Sequence, residues 1–272
     1  MKKAIAIVNR NMPEMTNDLV ESLSNIEADV FVLENGSDSD KYSKYANLFE
    51  EESRGLAYGV NRLLSHCFDL GYDYIWVQYN DARCDDPEGF FQWSIDQMES
   101  DSTIGVSCIH WGSMWDIYGR KRPPAWWNSE DDNIEKKLVS FFDDLSYVVS
   151  RKALDIISKS DKRLTPFFDP TNYTNHYNLI APSSALYFNG MKMITSEKFV
   201  GYELDQEAVD NSIEARGYTD EEWKSVKGPS DAKEWFDRFY PQLSSHNLSV
   251  KQKRDILIRE ICNLYHARKG EK

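Results

Sequence analysis

The stretch AIAIVNRN, residues 4–11, begins with five apolar residues and ends in Asn9, Arg10 and Asn11. A short apolar run of this kind is typical of a strand that is buried on both faces of a sheet. Two lysines precede the run, as in a signal peptide, but the run is too short for one. We therefore predict a buried first strand over residues 4–8.

Short strands and amphipathic helices alternate outward from this first strand. Leu19, Leu23 and Ile26 recur at helical spacing, and Thr16 is the predicted N-cap of their helix. The other predicted elements are strands at 30–33, 74–77, 103–109 and 145–149, and helices around 60–67, 87–98 and 151–157, the last two capped by Asp86 and Ser150. This alternation indicates an α/β fold with a mostly parallel sheet covered by helices on both faces.

The polar residues that directly follow the predicted strands are the first candidates for a ligand site. They are Asn9, Glu34-Asn35 and Asn80-Asp81. In open α/β sheets, ligands bind in the crevice outside the carboxyl ends of the strands. We therefore expect these side chains to converge on one crevice.

Composition excludes several classes of protein. The formal charge of −13 over 272 residues argues against a nucleic-acid partner, because neutralising phosphates needs a surplus of Lys and Arg. The scattered cysteines (Cys67, Cys84, Cys108 and Cys262) indicate reduced thiols of a cytoplasmic protein rather than a disulfide framework or a zinc site. No run reaches the ~18 apolar residues of a membrane span.

Four motifs occur in the order and spacing of a known family. They are AIAIVNRN at 4–11, VFVLENGSDSD at 30–40, RGLAYGVNRLL at 54–64 and YDYIWVQYNDARCDDPEGF at 72–90. Together they resemble the family-two inverting glycosyltransferases of the GT-A fold. FFDDLSYVVSRKAL, at 141–154, is similar to the acceptor-side strand and following helix of that family. The resemblance covers roughly residues 3–195.

The resemblance implies a Rossmann-like GT-A domain over residues 1–200, with a mixed, mostly parallel sheet flanked by helices. Residues 201–272 are predicted to form a helical C-terminal extension packed on or beside this domain. Its last part, 251–272, holds seven Lys or Arg against three acidic residues, a net charge of +4. A solvated helix face is the favoured interpretation, and peripheral contact with an anionic membrane is the alternative.

The family moves a sugar from a nucleotide diphosphate sugar, here preferably a UDP-sugar, to a hydroxyl of a glycan or lipid-linked acceptor. The nucleotide-binding residues that the resemblance implies are Asn9, Glu34, Asn35, Arg54, Gly55, Asn61 and Asn80. Gly36 gives the turn after the second strand its backbone freedom, and a helix N-terminus near Gly55 favours a diphosphate. The alternative for residues 34–36 is an ordinary strand-to-helix turn. The alternative for Gly55 and Gly59 is that they only permit close packing of the helix on the strand.

Asp81 is the predicted metal ligand, for Mn²⁺ or Mg²⁺. A divalent cation on carboxylate oxygen neutralises the charge that grows on a leaving diphosphate. The sequence departs from the family here, since one alignment puts Ala82 where the second Asp normally stands. That alignment would weaken or remove metal dependence, whereas the other keeps Asp81 in the metal-binding role.

An inverting transfer needs a catalytic base that takes the proton of the acceptor hydroxyl. The sequence contains three candidates for this base. Asp143 and Asp144 precede the acceptor-side strand, and His176 follows a Phe168-Asp169 pair that matches the start of a family motif. A solvated His or an acidic turn is the alternative for each.

A polar loop region rich in aromatic residues is the candidate acceptor surface, and buried packing of this loop is the alternative. Its aromatic residues are Trp111, Trp115, Tyr118, Trp126 and Trp127.

Two rival functions use the same crevice. A sugar-phosphate nucleotidyltransferase normally has a Gly-rich basic loop after the first strand, and NRNMPEMT at 9–16 has no glycine. A non-catalytic nucleotide-sugar-binding protein would explain Ala82 and the missing Glu-Asp pair of the family pattern.

Overall fold

The structure is a computed structural model that describes residues 1–111, 136–139, 142, 145–160, 164–169 and 179–204. Within these ranges the chain forms nine strands and five α-helices. No helix in this part of the chain is long and apolar enough to cross a membrane. Residues 205–272 lie outside the described residues, so the helical extension, its basic end and the division at residue 200 stay predictions.

The elements follow the predicted alternation through the first half of the chain. The strands are β1 Lys3–Asn9, β2 Asp29–Asn35, β3 Leu48–Glu50, β4 Tyr74–Gln78, β5 Ala82–Cys84, β6 Ile104–Trp111, β7 Lys137–Val139, β8 Ser146–Ser150 and β9 Lys192–Glu203. The α-helices are α1 Pro13–Ser22, α2 Leu56–Asp69, α3 Pro87–Ser100, α4 Arg151–Ser160 and α5 Ile180–Phe188. The short strands β3, β5 and β7, the helix α5 and the long strand β9 were not predicted.

All nine strands join in one sheet, in the order β3-β2-β1-β4-β8-β6-β9-β5, with β7 also paired to β9. The pairs β1–β2, β1–β4, β2–β3 and β6–β9 are parallel. The pairs that involve β8, β5 or β7 are antiparallel. The parallel pairs join more residues than the antiparallel pairs, so the mixed, mostly parallel sheet of the predicted fold class is confirmed. Because β2, β1 and β4 are parallel neighbours, their carboxyl ends lie side by side.

Helices cover both faces of the sheet, and each face has its own apolar core. Side chains of α2, α4 and α5 pack on one face, and those of α1 and α3 pack on the other. β1 shows why the first strand is apolar throughout, because Ala4 and Ala6 belong to one core and Ile5 and Ile7 to the other, all 0% exposed. A strand covered on both faces has no position for a solvated side chain.

Two of the three predicted helix caps are confirmed, and one is wrong. The carboxylate of Asp86 accepts from the N–H of Gly89, and the Ser150 hydroxyl accepts from the N–H of Ala153. Thr16 is not an N-cap: α1 begins earlier, at Pro13, and Thr16 is buried within the helix. Proline favours the first helical position because its φ is already helical and its missing N–H needs no partner there.

Gly36 and Gly71 form a matched pair for testing the turn after β2. Both have positive φ, of 71° and 81°. A Cβ on Gly36 would lie 2.2 Å from the backbone N of Ser53, whereas one on Gly71 would meet nothing within 4 Å. We expect Gly71→Ala to cost about 1 kcal/mol of unfolding free energy through its φ alone. Gly36→Ala should cost about 2–3 kcal/mol, because residues 52–53 must also move.

Urea unfolding of the two variants beside the parent measures this difference. Equal losses of stability at the two positions would show that the close approach of residues 52–53 to Gly36 does not constrain the turn.

Candidate functional site

The carboxyl ends of β1 and β2 are joined by a buried pair, Asn9 and Glu34. The Asn9 amide donates to both carboxylate oxygens of Glu34, at 3.1 and 2.9 Å. The backbone N–H of Ser43 donates to Glu34 Oε1 at 2.7 Å, and Asn9 and Glu34 are both 0% exposed. A buried carboxylate needs such donors to replace its lost water. These contacts therefore fasten the connection that leaves β2 against the end of β1.

Thr16 of α1 extends this pair to the end of β4. Its Oγ1 donates to Asn9 Oδ1 at 2.9 Å and accepts from Asn80 Nδ2 at 3.1 Å. The backbone N–H of Met12 donates to the same Asn9 oxygen at 3.2 Å. The structure thus brings together Asn9, Glu34 and Asn80, three of the predicted nucleotide-binding residues. Their contact with a nucleotide stays a prediction.

Replacing Thr16 should show how strongly this hydrogen-bonded chain holds the strand ends together. Thr16→Val keeps the shape of the side chain but removes the hydroxyl, so Asn80 loses its oxygen acceptor and keeps only the Met12 sulfur, and Asn9 loses one of its donors. We expect a loss of about 1–3 kcal/mol in unfolding free energy, the cost of an unsatisfied buried polar group. Thr16→Ser, which keeps the hydroxyl and loses one methyl, should cost about 1 kcal/mol. Chemical denaturation distinguishes the two, and a serine variant no more stable than the valine variant would contradict the expectation.

Asn35 ends β2 with an acceptor that the described residues leave unused. Its Nδ2 donates to the carbonyl of Gly55 at 3.1 Å, which fixes the orientation of the amide because a carbonyl can only accept. The side chain is 2% exposed, and its Oδ1 has no hydrogen-bond partner among the described residues. Such an orphaned acceptor in a buried position requires an explanation. A ligand N–H or O–H is the kind of group that it lacks.

The N-terminus of α2 adjoins Asn35. Gly55 is the N-cap, with a φ of 88°, and no side chain caps the helix. The first N–H groups of a helix and the positive end of its dipole favour an anion. A Cβ on Gly59 would lie 3.2 Å from Asn35 Nδ2, so Gly59 also serves close packing, as the alternative interpretation holds. Arg54 is exposed, with its guanidinium 5.1 Å from the ring centroid of Tyr58.

The side-chain amide of Asn61 forms hydrogen bonds with the backbone of residues 167–168 through both its nitrogen and its oxygen. Its Nδ2 donates to the carbonyl of Phe168 at 2.7 Å. Its Oδ1 accepts from the N–H groups of Phe167 and Phe168, at 3.3 and 2.9 Å. Asn61 is 3% exposed, so these bonds form away from water. The side chain therefore anchors the segment that leads to Asp169, and a contact with nucleotide stays a prediction.

Residues 79–81 form the turn between β4 and β5, and every backbone carbonyl from residue 79 to residue 82 accepts a hydrogen bond. Gln78 Nε2 donates to the carbonyls of residues 79 and 82, at 3.0 and 2.8 Å. Arg83 Nη1 donates to those of residues 80 and 82, at 2.7 and 2.9 Å. The N–H of Leu204 donates to the carbonyl of Asp81 at 2.9 Å. The backbone of the turn is thus held on both sides.

The side chain of Asp81 contrasts with the backbone of its turn. Its Oδ1 is buried and has no hydrogen-bond partner among the described residues. Nearby, burial lowers the pKa of the Arg83 guanidinium, and the charges of Tyr202, Asp18 and Asp81 oppose this shift. Arg83 Nη2 also donates to the carbonyl of Met15 at 3.2 Å, which fastens the turn to α1. The rigid turn therefore carries a carboxylate, and one oxygen of this carboxylate has no hydrogen-bond partner among the described residues.

Ala82 is 0% exposed and lies in β5, where it pairs with Glu203 of β9. The position therefore lies within the sheet. Asp81, which immediately precedes β5, is the carboxylate that this turn presents.

A divalent cation fits this donor set only in company with a ligand. Within the described ranges, no cluster of three or more His, Cys, Asp or Glu side chains could hold a metal. Mg²⁺ and similar hard cations are commonly held by one or two carboxylates together with substrate phosphates. The orphaned oxygen of Asp81 can supply one such ligand, and a diphosphate would supply the others.

Several predicted residues lie outside the described residues. They are the base candidates Asp143, Asp144 and His176, the loop aromatics Trp115, Tyr118, Trp126 and Trp127, and Cys262. Their roles stay predictions. Leu145, just after Asp144, is described, and its carbonyl accepts from the N–H of Tyr79 at 3.0 Å. The three described cysteines form no disulfide.

Comparison with known proteins gives matches of structure alone. No protein-family model matches the chain, and no curated protein matches its sequence. A structure of GalNAc-T7 with UDP, GalNAc and Mn²⁺ is similar over 97% of this chain, with a TM-score of 0.59 and 12% identity. The chain spans 57% of the length of that GalNAc-T7 chain.

A second similar structure is the mannosyltransferase PcManGT from Pyrobaculum calidifontis in complex with GDP-Man and Mn²⁺. It matches over 99% of this chain and 75% of its own, with a TM-score of 0.52 and 12% identity. The chain has the GT-A fold. At 12% identity, this structural similarity establishes the GT-A architecture and not the activity.

Sequence reasoning missed the residues that support the candidate site. Gln78, Arg83 and Ser146 have no motif signal, because each acts through backbone carbonyls or through another polar side chain. The one available signal was a glutamine at the last position of the buried strand β4, where an unpaired amide would be costly.

Proposed function

We propose that the chain is an enzyme that transfers a sugar from a nucleotide diphosphate sugar to a hydroxyl acceptor, with inversion at the anomeric carbon. The observation that carries this proposal is the orphaned carboxylate oxygen of Asp81, on a fully bonded turn at the carboxyl end of β4 in a GT-A fold. The orphaned Asn35 oxygen and the uncapped N-terminus of α2 lie at the end of the parallel strand β2 and support a nucleotide beside it.

On the donor side, the proposal assigns roles to the residues at the strand ends and at the N-terminus of α2. Asn35 Oδ1 accepts from an N–H or O–H of the nucleoside, and the N-terminus of α2 after Gly55 faces the diphosphate. Asn9, Glu34 and Asn80 hold the strand ends in register beneath the nucleoside. A divalent cation bound at Asp81, Mn²⁺ or Mg²⁺, would neutralise the charge that develops on the leaving diphosphate.

In the proposed reaction, the acceptor oxygen attacks the anomeric carbon from the face opposite the diphosphate. The new glycosidic C–O bond forms as the C–O bond to the diphosphate breaks, and the nucleoside diphosphate leaves with that electron pair. The proton of the acceptor hydroxyl passes to a base, for which Asp144, Asp143 and His176 are the candidates. A UDP-sugar is the preferred donor and a glycan or lipid-linked hydroxyl the preferred acceptor.

The decisive experiment is incubation with UDP-, GDP- and TDP-sugars in the presence of Mn²⁺. We expect release of the matching nucleoside diphosphate, and a thermal shift with that nucleotide that grows when Mn²⁺ is added. A transferred sugar of inverted anomeric configuration, read by NMR, would establish the stereochemistry. The proposal fails if no donor is cleaved and no nucleotide stabilises the protein.

The same experiment decides between the rival functions. Nucleotide-dependent stabilisation without donor cleavage would favour a non-catalytic nucleotide-sugar-binding protein. Release of pyrophosphate from a nucleoside triphosphate and a sugar phosphate would favour a nucleotidyltransferase. The structure argues against the second, since the connection from β1 to α1 is only residues 10–12 and contains no glycine.

A further inference from the structure

Gln78 is the last residue of β4, and both the nitrogen and the oxygen of its side-chain amide form hydrogen bonds beside the turn that contains Asp81. Gln78 is 1% exposed. Its Nε2 donates to the carbonyls of residues 79 and 82, and its Oε1 accepts from the hydroxyl of Ser146 at 2.5 Å. That hydroxyl in turn accepts from Trp76 Nε1 at 2.9 Å. A buried network that is satisfied in this way is rigid, because no member can move without losing a partner.

The network also fixes the turn relative to β8. Ser146 is the first residue of β8 and pairs with Gln78 across the antiparallel strands. The next contact along the pair is the bond from the N–H of Tyr79 to the carbonyl of Leu145. Trp76, Gln78 and Ser146 therefore hold the Asp81 turn at a set distance from the beginning of the acceptor-side strand.

Arg83 completes the support from the opposite end of the turn. Its guanidinium is bonded to three carbonyls, those of Asn80, Ala82 and Met15. Gln78 and Arg83 thus hold the backbone on each side of Asp81 but make no hydrogen bond with its carboxylate. This arrangement fixes the backbone of Asp81 and leaves its buried Oδ1 without a hydrogen-bond partner among the described residues.

We propose that Gln78 and Arg83 are positioning residues that preorganise the Asp81 carboxylate for a divalent cation bound with a nucleoside diphosphate. The inference rests on the proposed function and adds to it two residues that were not predicted from the sequence. Groups that orient a metal ligand without touching the metal typically affect metal affinity by about 10–100-fold when they are replaced.

The test compares Gln78→Glu with the parent and with Gln92→Glu. Gln78→Glu has the same shape, keeps an acceptor for Ser146 and replaces the two donations by an oxygen that faces two carbonyls. Gln92 is exposed on α3, so Gln92→Glu makes the same chemical change on the surface. The Kd for Mn²⁺ is measured by water-proton relaxation with saturating UDP, and in parallel with GDP and TDP.

We expect Gln78→Glu to raise the Mn²⁺ Kd by about 10–100-fold, and Gln92→Glu to leave it unchanged. The metal-free Kd for the nucleotide should stay within about two-fold in both variants, which a general loss of folding would not allow. Arg83→Lys keeps the charge but loses the guanidinium fork, so it should also weaken Mn²⁺ binding and serves as the test if Gln78→Glu does not fold.

Two outcomes would overturn the inference, and they can be told apart. An unchanged Mn²⁺ Kd in folded Gln78→Glu and Arg83→Lys, with a parent that binds Mn²⁺, would overturn the positioning role alone. A parent that binds no Mn²⁺ with any of the three nucleotides would overturn the proposed metal-assisted transfer together with it.

Discussion

Asp81→Asn is expected to lower the rate of sugar transfer by about 100-fold or more at saturating Mn²⁺. The change is nearly isosteric but removes the negative charge of the one carboxylate that the β4–β5 turn presents. Metal stabilisation of a leaving diphosphate is worth several kcal/mol, and a loss of about 3 kcal/mol corresponds to about 100-fold in rate. The measurement is kcat as a function of Mn²⁺ concentration, with the donor that the panel of UDP-, GDP- and TDP-sugars identifies.

The same variant should keep or gain thermal stability. Asp81 Oδ1 is buried without a hydrogen-bond partner among the described residues, so the folded protein gains little from its charge. Activity should therefore fall while stability is kept or rises, as is common at functional sites.

Asp18→Asn is the matched control, because the exposed Asp18 carboxylate also acts on Arg83 electrostatically. This control should transfer sugar at the parent rate. A rate for Asp81→Asn within about three-fold of the parent, with the same Mn²⁺ dependence, would remove Asp81 from the mechanism.

Asn61→Leu is expected to destabilise the fold by about 3–5 kcal/mol. Leucine fills a similar space but leaves the N–H groups of Phe167 and Phe168 buried without an acceptor, and each such group costs about 1–3 kcal/mol. Phe167 and Phe168 are both 0% exposed, and the ring of Phe167 stacks on Tyr147 at 5.5 Å, so water cannot readily replace the lost partner. The measurement is the midpoint and slope of urea unfolding.

Asn47→Leu is the matched control for Asn61→Leu. Asn47 makes the same kind of bonds, accepting from the N–H of Val32 at 2.9 Å and donating to the carbonyl of Val30 at 2.8 Å. Asn47 and its bond to Val30 are exposed, so water can take over the Val30 carbonyl, whereas Val32 is 0% exposed. Asn47→Leu therefore leaves one buried N–H without an acceptor, against two for Asn61→Leu, and should cost about 1–3 kcal/mol. Equal costs for the two leucine variants would show that burial does not strengthen the Asn61 anchor.

The predicted strands and helices of the first hundred residues follow from period and composition. β1, β2 and β4 are runs of apolar residues, and α2 shows its apolar positions at i, i+3, i+4 and i+7. β9 was missed because its middle contains Thr195, Ser196, Glu197 and Lys198, which break the apolar run. Its pairing with β6, β7 and β5 comes from neighbours far away in the chain, and no local pattern reports them.

The candidate residues show the same division between local and distant causes. Asn9, Glu34 and Asn80 could be grouped from sequence, because the carboxyl ends of parallel strands meet at one edge. That Glu34 has its oxygens bonded by Asn9 and Ser43, while Asn35 and Asp81 each keep a buried orphaned oxygen, could not be predicted. Which polar group is left without a partner depends on every atom packed around it.

The sequence by itself determined the alternation of strands and helices, the strand-end position of Asp81 and the glycines that its turns and helix starts require. These properties depend on nearest neighbours in the chain and on the spacing of apolar residues. Only the tertiary structure decided that Gln78, Arg83 and Leu204 hold the backbone around Asp81 and leave its carboxylate oxygen unpartnered. Hydrogen bonds between residues separated by 64 to 107 positions, such as Thr16–Asn80 and Asn61–Phe168, arise only when the sheet brings those residues together.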